Sequence, residues 1–161
     1  MADNNMKQYI GTKIIQAIAM TLGAYNEKRG WTIPENENPA REGYFIEYPD
    51  GYISWSPKEV FEEAYRETNG MMNFGLATEA AKKGRKVARK GWNGAGMYAV
   101  IMPGYPEGIE VNETTQKVHN LEPGTKLVFR PYWQLFTAQK DIAMWAPSGS
   151  DSLAEDWMIV E

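Results

Sequence analysis

The chain has 161 residues, 43% of them hydrophobic and 12% aromatic, with 21 acidic and 17 basic side chains, a net charge of −4 and no cysteine. That composition supports a packed core for one ordinary domain or two small units and excludes disorder. The missing cysteines remove disulfides, cysteine-ligated metals and thiol nucleophiles, and the acidic balance argues against a long nucleic acid as partner.

In chain order, residues 1–8 read as a loose tail without the apolar stretch of a signal peptide. Thr12 to Met20 reads as a strand, and Leu22 to Arg29 as a short helix capped by Thr21. Residues 33–43 form a loop broken by Pro34, Asn36, Asn38 and Pro39. Tyr44 to Tyr48 and Tyr52 to Trp55 are two strands joined by the turn signal Pro49-Asp50-Gly51. Ser56, Pro57 and Glu59 predict a capping box, followed by a helix whose stripe of Val60, Phe61, Ala64 and Tyr65 points to core packing. Residues 67–72 read as a junction, with Thr68, Asn69 and Gly70, which divides the chain into a small α+β region over 1–68 and a second domain over 69–161.

In the second half Asn73 caps a helix from Phe74 to Lys83, with Leu76, Ala77, Ala80 and Ala81 inward and Gly84 as its stop. Lys86 to Lys90 and Met97 to Met102 are strands flanking a glycine-rich turn. Residues 103–126 read as a long, irregular, polar excursion. Leu127 to Arg130, Tyr132 to Thr137 and Ile142 to Trp145 are further strands. A short helix near Ser150 to Asp156 precedes a last strand, Trp157 to Val160. The whole reads as α+β, mainly antiparallel sheet, with a helix before the Gly-Trp-Asn-Gly hairpin and a short C-terminal helix. No apolar run approaches the roughly 18 residues that span a membrane, so the expected location is the cytoplasm.

Two clusters carry the chemistry. The first is Arg89-Lys90-Gly91-Trp92-Asn93-Gly94-Ala95-Gly96-Met97, and the second is Trp145-Ala146-Pro147-Ser148 with Asp151 to Trp157. Glycines let backbone approach a ligand closely, a Trp face stacks on a base for about 1–3 kcal/mol, Asn pairs with the polar edge of a purine, and Arg grips phosphate in a fork. Ser148 and the amides of the following helix suggest a second anion site. An equally good reading of the first cluster is a tight hairpin with Trp92 folded onto the core. The basic run from Lys82 to Lys90 is, for the most part, a solvated helix end. Asp151, Glu155 and Asp156 fit caps and dipole partners better than an acid and base pair. The single histidine, His119, lies in the excursion, and zinc catalysis and Ser-His hydrolysis lack their usual parts. The glycine run lacks the spacing and the following helix of a dinucleotide-binding loop. These residues point to a binder of a flat, anionic, nucleotide-like ligand rather than an enzyme, with no cofactor and no metal.

The segments Lys83-Gly84-Arg85-Lys86-Val87-Ala88-Arg89-Lys90-Gly91-Trp92-Asn93-Gly94, Pro131-Tyr132, Trp145-Ala146-Pro147-Ser148 and Asp151-Ser152-Leu153-Ala154-Glu155-Asp156-Trp157 resemble the small phage domain family that includes the second Thoeris anti-defence protein, over about residues 71–161. The resemblance implies capture, without degradation, of the cyclic ADP-ribose-type signal made by bacterial TIR-domain proteins, with cyclic dinucleotides held by some members at a separate site. It implies a homo-oligomer, tetramer or dimer, in the host bacterial cytosol, with ligands in pockets between subunits. Carried onto this chain, the ligand-binding residues are Arg89, Trp92, Asn93, Met97, Trp145, Ser148 and Asp151. Residues 1–68 lie outside the resemblance and are similar to a leader region of other phage proteins. The alternative is a phage structural or protein-interaction module with no small-molecule ligand.

Overall fold

The computed structural model describes residues 7–161; most of the expected tail lies outside them. The chain divides into two compact units, one ending at Arg66 and the other running Glu67–Glu161.

In the first unit, β1 (Gln16–Ala19), β2 (Gly43–Glu47) and β3 (Ile53–Pro57) form an antiparallel sheet in the order β1-β2-β3. Helix α1 (Leu22–Arg29) starts where the Thr21 hydroxyl accepts from the Ala24 amide at 3.3 Å and stops at Gly30, whose φ of 68° is left-handed. The β2–β3 turn closes through Gly51 at φ 83°, with the Asp50 carboxylate accepting from the Tyr52 amide at 3.0 Å. Gly43 is required because Trp55 lies across it, its indole Nε1 donating to the Met20 carbonyl at 2.7 Å; a Cβ at 43 would overlap the ring. Leu22, Tyr25 and Ile46 form the core.

Helix α2 (Lys58–Ala64) departs from the sequence expectation. Ser56 pairs with Tyr44 in the β2–β3 ladder, so Pro57 becomes the cap residue and no side chain caps the helix. The residue just before β2 supplies an acceptor instead, as the Lys58 amide donates to the Glu42 carbonyl at 3.2 Å. Nor is the apolar stripe core: Val60 is 58% exposed and no α2 residue is buried. Phe61 stacks on Tyr44 at 4.1 Å between ring centroids and on Tyr65 at 4.9 Å, an aromatic ladder along the face of the small sheet.

The second unit is built on a six-stranded antiparallel sheet. Its strands are β4 (Asn69–Met72), β5 (Lys86–Arg89), β6 (Tyr98–Met102), β9 (Tyr132–Phe136), β10 (Ile142–Met144) and β11 (Trp157–Val160), in the order β10-β9-β6-β5-β11-β4. The residues read as a junction thus include an edge strand, β4, paired with β11. Helix α3 (Phe74–Lys82) begins at Asn73, whose carboxamide accepts from the Leu76 amide at 2.9 Å, and unwinds at Gly84, φ 82°, with Arg85 N–H reaching back to the Ala80 carbonyl at 3.1 Å. Its inward residues Ala77, Ala80 and Ala81 are small, so the helix lies close on Val87, Ala99 and Trp157, all fully buried.

The segment 103–126 is not irregular. It contains β7 (Tyr105–Glu110) and α4 (Glu113–His119) and enters β8 (Lys126–Phe129), which pairs antiparallel with β7. Asn112 caps α4 by accepting from Thr115 N–H at 2.9 Å, and Asn120 ends it at φ 53°. His119 is the exposed last residue of that helix. Pro103, Gly104, Pro106 and Gly108 obscure the alternation of β7; Gly104 has φ 76° and lies where a Cβ would strike the Phe129–Pro131 backbone. The architecture is α+β with antiparallel sheets, and the helix-before-hairpin and short C-terminal helix are both present.

Candidate ligand-binding site

Strand β5 delivers Arg89 to the start of a loop, 90–97, that returns as β6. Strand β10 leads through Trp145 and Ser148 into α5 (Gly149–Leu153), and α5 is followed by β11. Because β11 pairs with β5, with Trp157 opposite Arg89, the two motifs meet at one end of the sheet.

Asp151 joins them. It is 9% exposed and stands three residues inside α5, completing a capping box: the Ser148 hydroxyl accepts from Asp151 N–H at 3.0 Å, while Asp151 Oδ2 accepts from Ser148 N–H at 3.0 Å and from its hydroxyl at 2.8 Å. Its Oδ1 accepts from Arg89 Nη1 at 3.0 Å and from Trp92 Nε1 at 3.2 Å. Its carbonyl accepts from Trp157 Nε1 at 2.9 Å. Arg89 Nε donates to Asp156 Oδ1 at 2.8 Å, and Asp156 Oδ2 takes the Gly91 amide at 2.8 Å. One guanidinium therefore forks across two carboxylates.

The electrostatics follow. Burial pushes the Asp151 carboxyl upward, but hydrogen bonds from Ser148, Arg89 and Trp92 outweigh it and hold the group at about 2. Asp156 is held below the ordinary carboxylate range chiefly by its bond from Arg89. Arg89 is raised, first by Asp156 and then by Asp151.

Around this network lies a cluster of tryptophans. Trp92 meets Trp145 edge to face at 6.0 Å and Trp157 at 5.4 Å; Trp145 also meets Trp133 at 5.5 Å, and Phe74 touches Trp133 and Trp157 at 5.9 and 5.3 Å. Edge-to-face pairs add about 0.5–1.5 kcal/mol each beyond area burial. Trp92 is half-buried, with its N–H pinned, so its indole is held against the core.

Of the residues read from the sequence, Arg89, Trp92, Trp145, Ser148 and Asp151 are brought into one cluster. Asn93 stands exposed in the loop, its carboxamide without a partner among the described residues. Met97 folds under Gly94, where a Cβ would overlap its thioether and press on Ala138 at 2.9 Å. At the start of α5, the place expected for a second anion, the chain's own Asp151 carboxylate accepts from the Ser148 N–H and hydroxyl. Sequence reasoning passed over Asp156 as a partner of Arg89, and Trp133, Trp157 and Phe74 as members of the cluster. The Leu-Ala-Glu-Asp-Trp motif held the signal for two of them. Among the described residues, no three His, Asp or Glu side chains gather as a metal site, and no helix is long and apolar enough to cross a membrane.

Fold and site define a small α+β domain whose two distant loops are locked together by an arginine–aspartate–tryptophan network. Residues 72–160 match the Thoeris anti-defense 2-like domain, which is more than half of the chain, and the chain belongs to that family of phage anti-defence domains. The protein "Thoeris anti-defense 2" of Bacillus phage SP01 is 35% identical over 97 residues, covering 55% of this chain and 94% of the relative.

Proposed function

We propose that this chain is a phage anti-defence sponge that binds a cyclic nucleotide immune signal, of the cyclic ADP-ribose type and also cyclic dinucleotides, and withholds it without degrading it. It acts in the host bacterial cytosol as a homo-oligomer, with subunits contributing to the ligand pocket. The observation that carries this reading is the convergence of Ser148, Arg89 and Trp92 on Asp151. That network sets the glycine-rich loop in place before a ligand arrives, and preorganisation is what tight capture requires. Sequestration at a Kd near 1 nM corresponds to about −12 kcal/mol.

In this reading Arg89 spends its fork on positioning the loop. The loop then meets the ligand through Asn93 and through backbone next to Gly91, Gly94 and Gly96, the last at φ 73°. Trp92 and Trp145 present their outer edges, and Met97 supports the loop from beneath. The chain's only histidine is exposed on α4, far in sequence from both motifs, which favours holding over turnover.

The test is a thermal-shift titration with glycocyclic ADP-ribose, cyclic ADP-ribose, cyclic dinucleotides and ADP-ribose, followed by heat release and chromatography of the ligand. A large shift from one cyclic species, recovered intact, is expected, and it should be lost in Asn93→Ala without loss of fold. Recovery of an altered ligand would make the protein an enzyme. No shift across the panel would favour the second reading, an interaction module. That reading is supported by Ile142 and Met144 on the sheet edge and by Leu153 on α5, which are 66, 72 and 85% exposed.

A further inference from the structure

The first unit, outside the family match, holds an open groove of about 780 Å³, within the roughly 300–1,000 Å³ of small-molecule clefts. Three observations give it a chemical character. Asn26 is 6% exposed, lines the groove, and its carboxamide has no hydrogen-bond partner among the described residues. Since no sealed side-chain nitrogen or oxygen among them lacks a partner, the Asn26 amide opens into the groove. Buried amides are rarely left without a partner, and an amide offers a donor and an acceptor side by side.

The second observation is Arg29. Helix α1 ends at Gly30, and the reversal, closed by Trp31 N–H to the Asn26 carbonyl at 2.8 Å, lays Trp31 beneath Arg29. The guanidinium stands 4.3 Å from the Trp31 ring centroid and 5.9 Å from that of Tyr25, with no carboxylate partner among the described residues. The third is the aromatic wall: Trp31 and Tyr52, 54 and 64% exposed, both line the same groove. Glu37 on its rim adds an acceptor for ring N–H groups.

We propose that this groove is a second ligand site, which holds a small molecule with a flat ring bearing adjacent hydrogen-bond donor and acceptor atoms and an attached anionic group, phosphate or carboxylate. The ring lies along Trp31 and Tyr52, Asn26 reads its polar edge, and Arg29 meets the anion. The site is independent of capture by the second unit, and either reading stands if the other fails.

The full chain, with 15N-labelled indoles, is titrated with the four ribonucleoside monophosphates, the four nucleosides and orotate, and the Trp31 resonance is assigned through Trp31→Phe. At least one anionic ring compound should move the Trp31 indole and leave that of Trp92 in place. The phosphate and carboxylate arms decide which anion is preferred. Arg29→Gln, a change at a half-buried helix end, should leave the chain folded in a thermal melt and weaken binding about tenfold, the loss expected for one charged hydrogen bond. Three outcomes would overturn the proposal: no probe moves Trp31 at millimolar concentration, Arg29→Gln binds with unchanged affinity, or Trp92 moves in place of Trp31.

Discussion

At the residue scale, Asp151 has the most at stake. Its carboxylate receives the Ser148 N–H and hydroxyl, Arg89 and Trp92, and its own backbone caps the indole of Trp157. Its folded pKa is depressed to about 2, from an ordinary value of 3.8. The stability it contributes is therefore fully present above about pH 4 and lost as the pH falls toward 2. That contribution is about 2 kcal/mol, with Asp156 acting in the same direction. Urea unfolding of the wild-type chain should weaken steeply over this window. Asp151→Asn should be weaker at pH 7 by about the same 2 kcal/mol and show a flatter acid slope; an unchanged slope would mean that the carboxylate is not held by this network. Trp92→Ala is expected to cost about 3 kcal/mol or more, because it opens a hole in the tryptophan cluster. A loss of ligand capture by that variant must therefore be read beside its folding.

At the element scale, the two Ser-initiated helix starts behave differently. Ser148 is a true cap with a reciprocal bond from Asp151, whereas Ser56 is a strand residue and Glu59 has no capping role. Ser148→Ala should cost about 1 kcal/mol, while Glu59→Ala should stay within about 0.5 kcal/mol; thermal melts of the two variants distinguish them directly. The loop 90–97 is equally specific. Gly91 lies against Asp156 and Gly94 against Met97 and Ala138. Gly94→Ala should destabilise by about 1–3 kcal/mol through overpacking, read as a lowered urea midpoint. Alanine at Gly84 meets open space but must hold φ 82°, so its cost is conformational, about 1 kcal/mol.

At the scale of the whole molecule, the second unit carries its own sheet, helix and site. A fragment spanning 67–161 is expected to unfold in one cooperative transition. A fragment starting at Phe74 loses edge strand β4, the 3%-exposed Met72 and the Asn73 cap, and should be weaker by about 3 kcal/mol or more. Circular dichroism melts of the two fragments test both statements. If the longer fragment fails to fold, Glu67 is the wrong place to divide the chain.

Local signals were legible wherever the physics is local. Thr21 and Asn73 as caps, Gly84 as a stop, and the Asp50-Gly51 turn each act within five residues, so the sequence alone determined α1, α3 and the β2–β3 hairpin, and with them the α+β class. The motifs around Trp92 and Trp145 were legible as a pair from their residue types, and their resemblance pointed to the family. The local rule misled at Ser56, where a ladder with Tyr44 outweighed a helix cap, and along 103–126, where Pro and Gly broke up the alternation of β7. Only the tertiary structure decided which side chains the candidate site residues touch. Arg89 lies 62 and 67 positions from the carboxylates that hold it, and no periodicity encodes a pairing at that distance. It exists because β11 lies beside β5, a neighbourhood set by the burial of Trp157, Val87 and the α3 alanines in a single core.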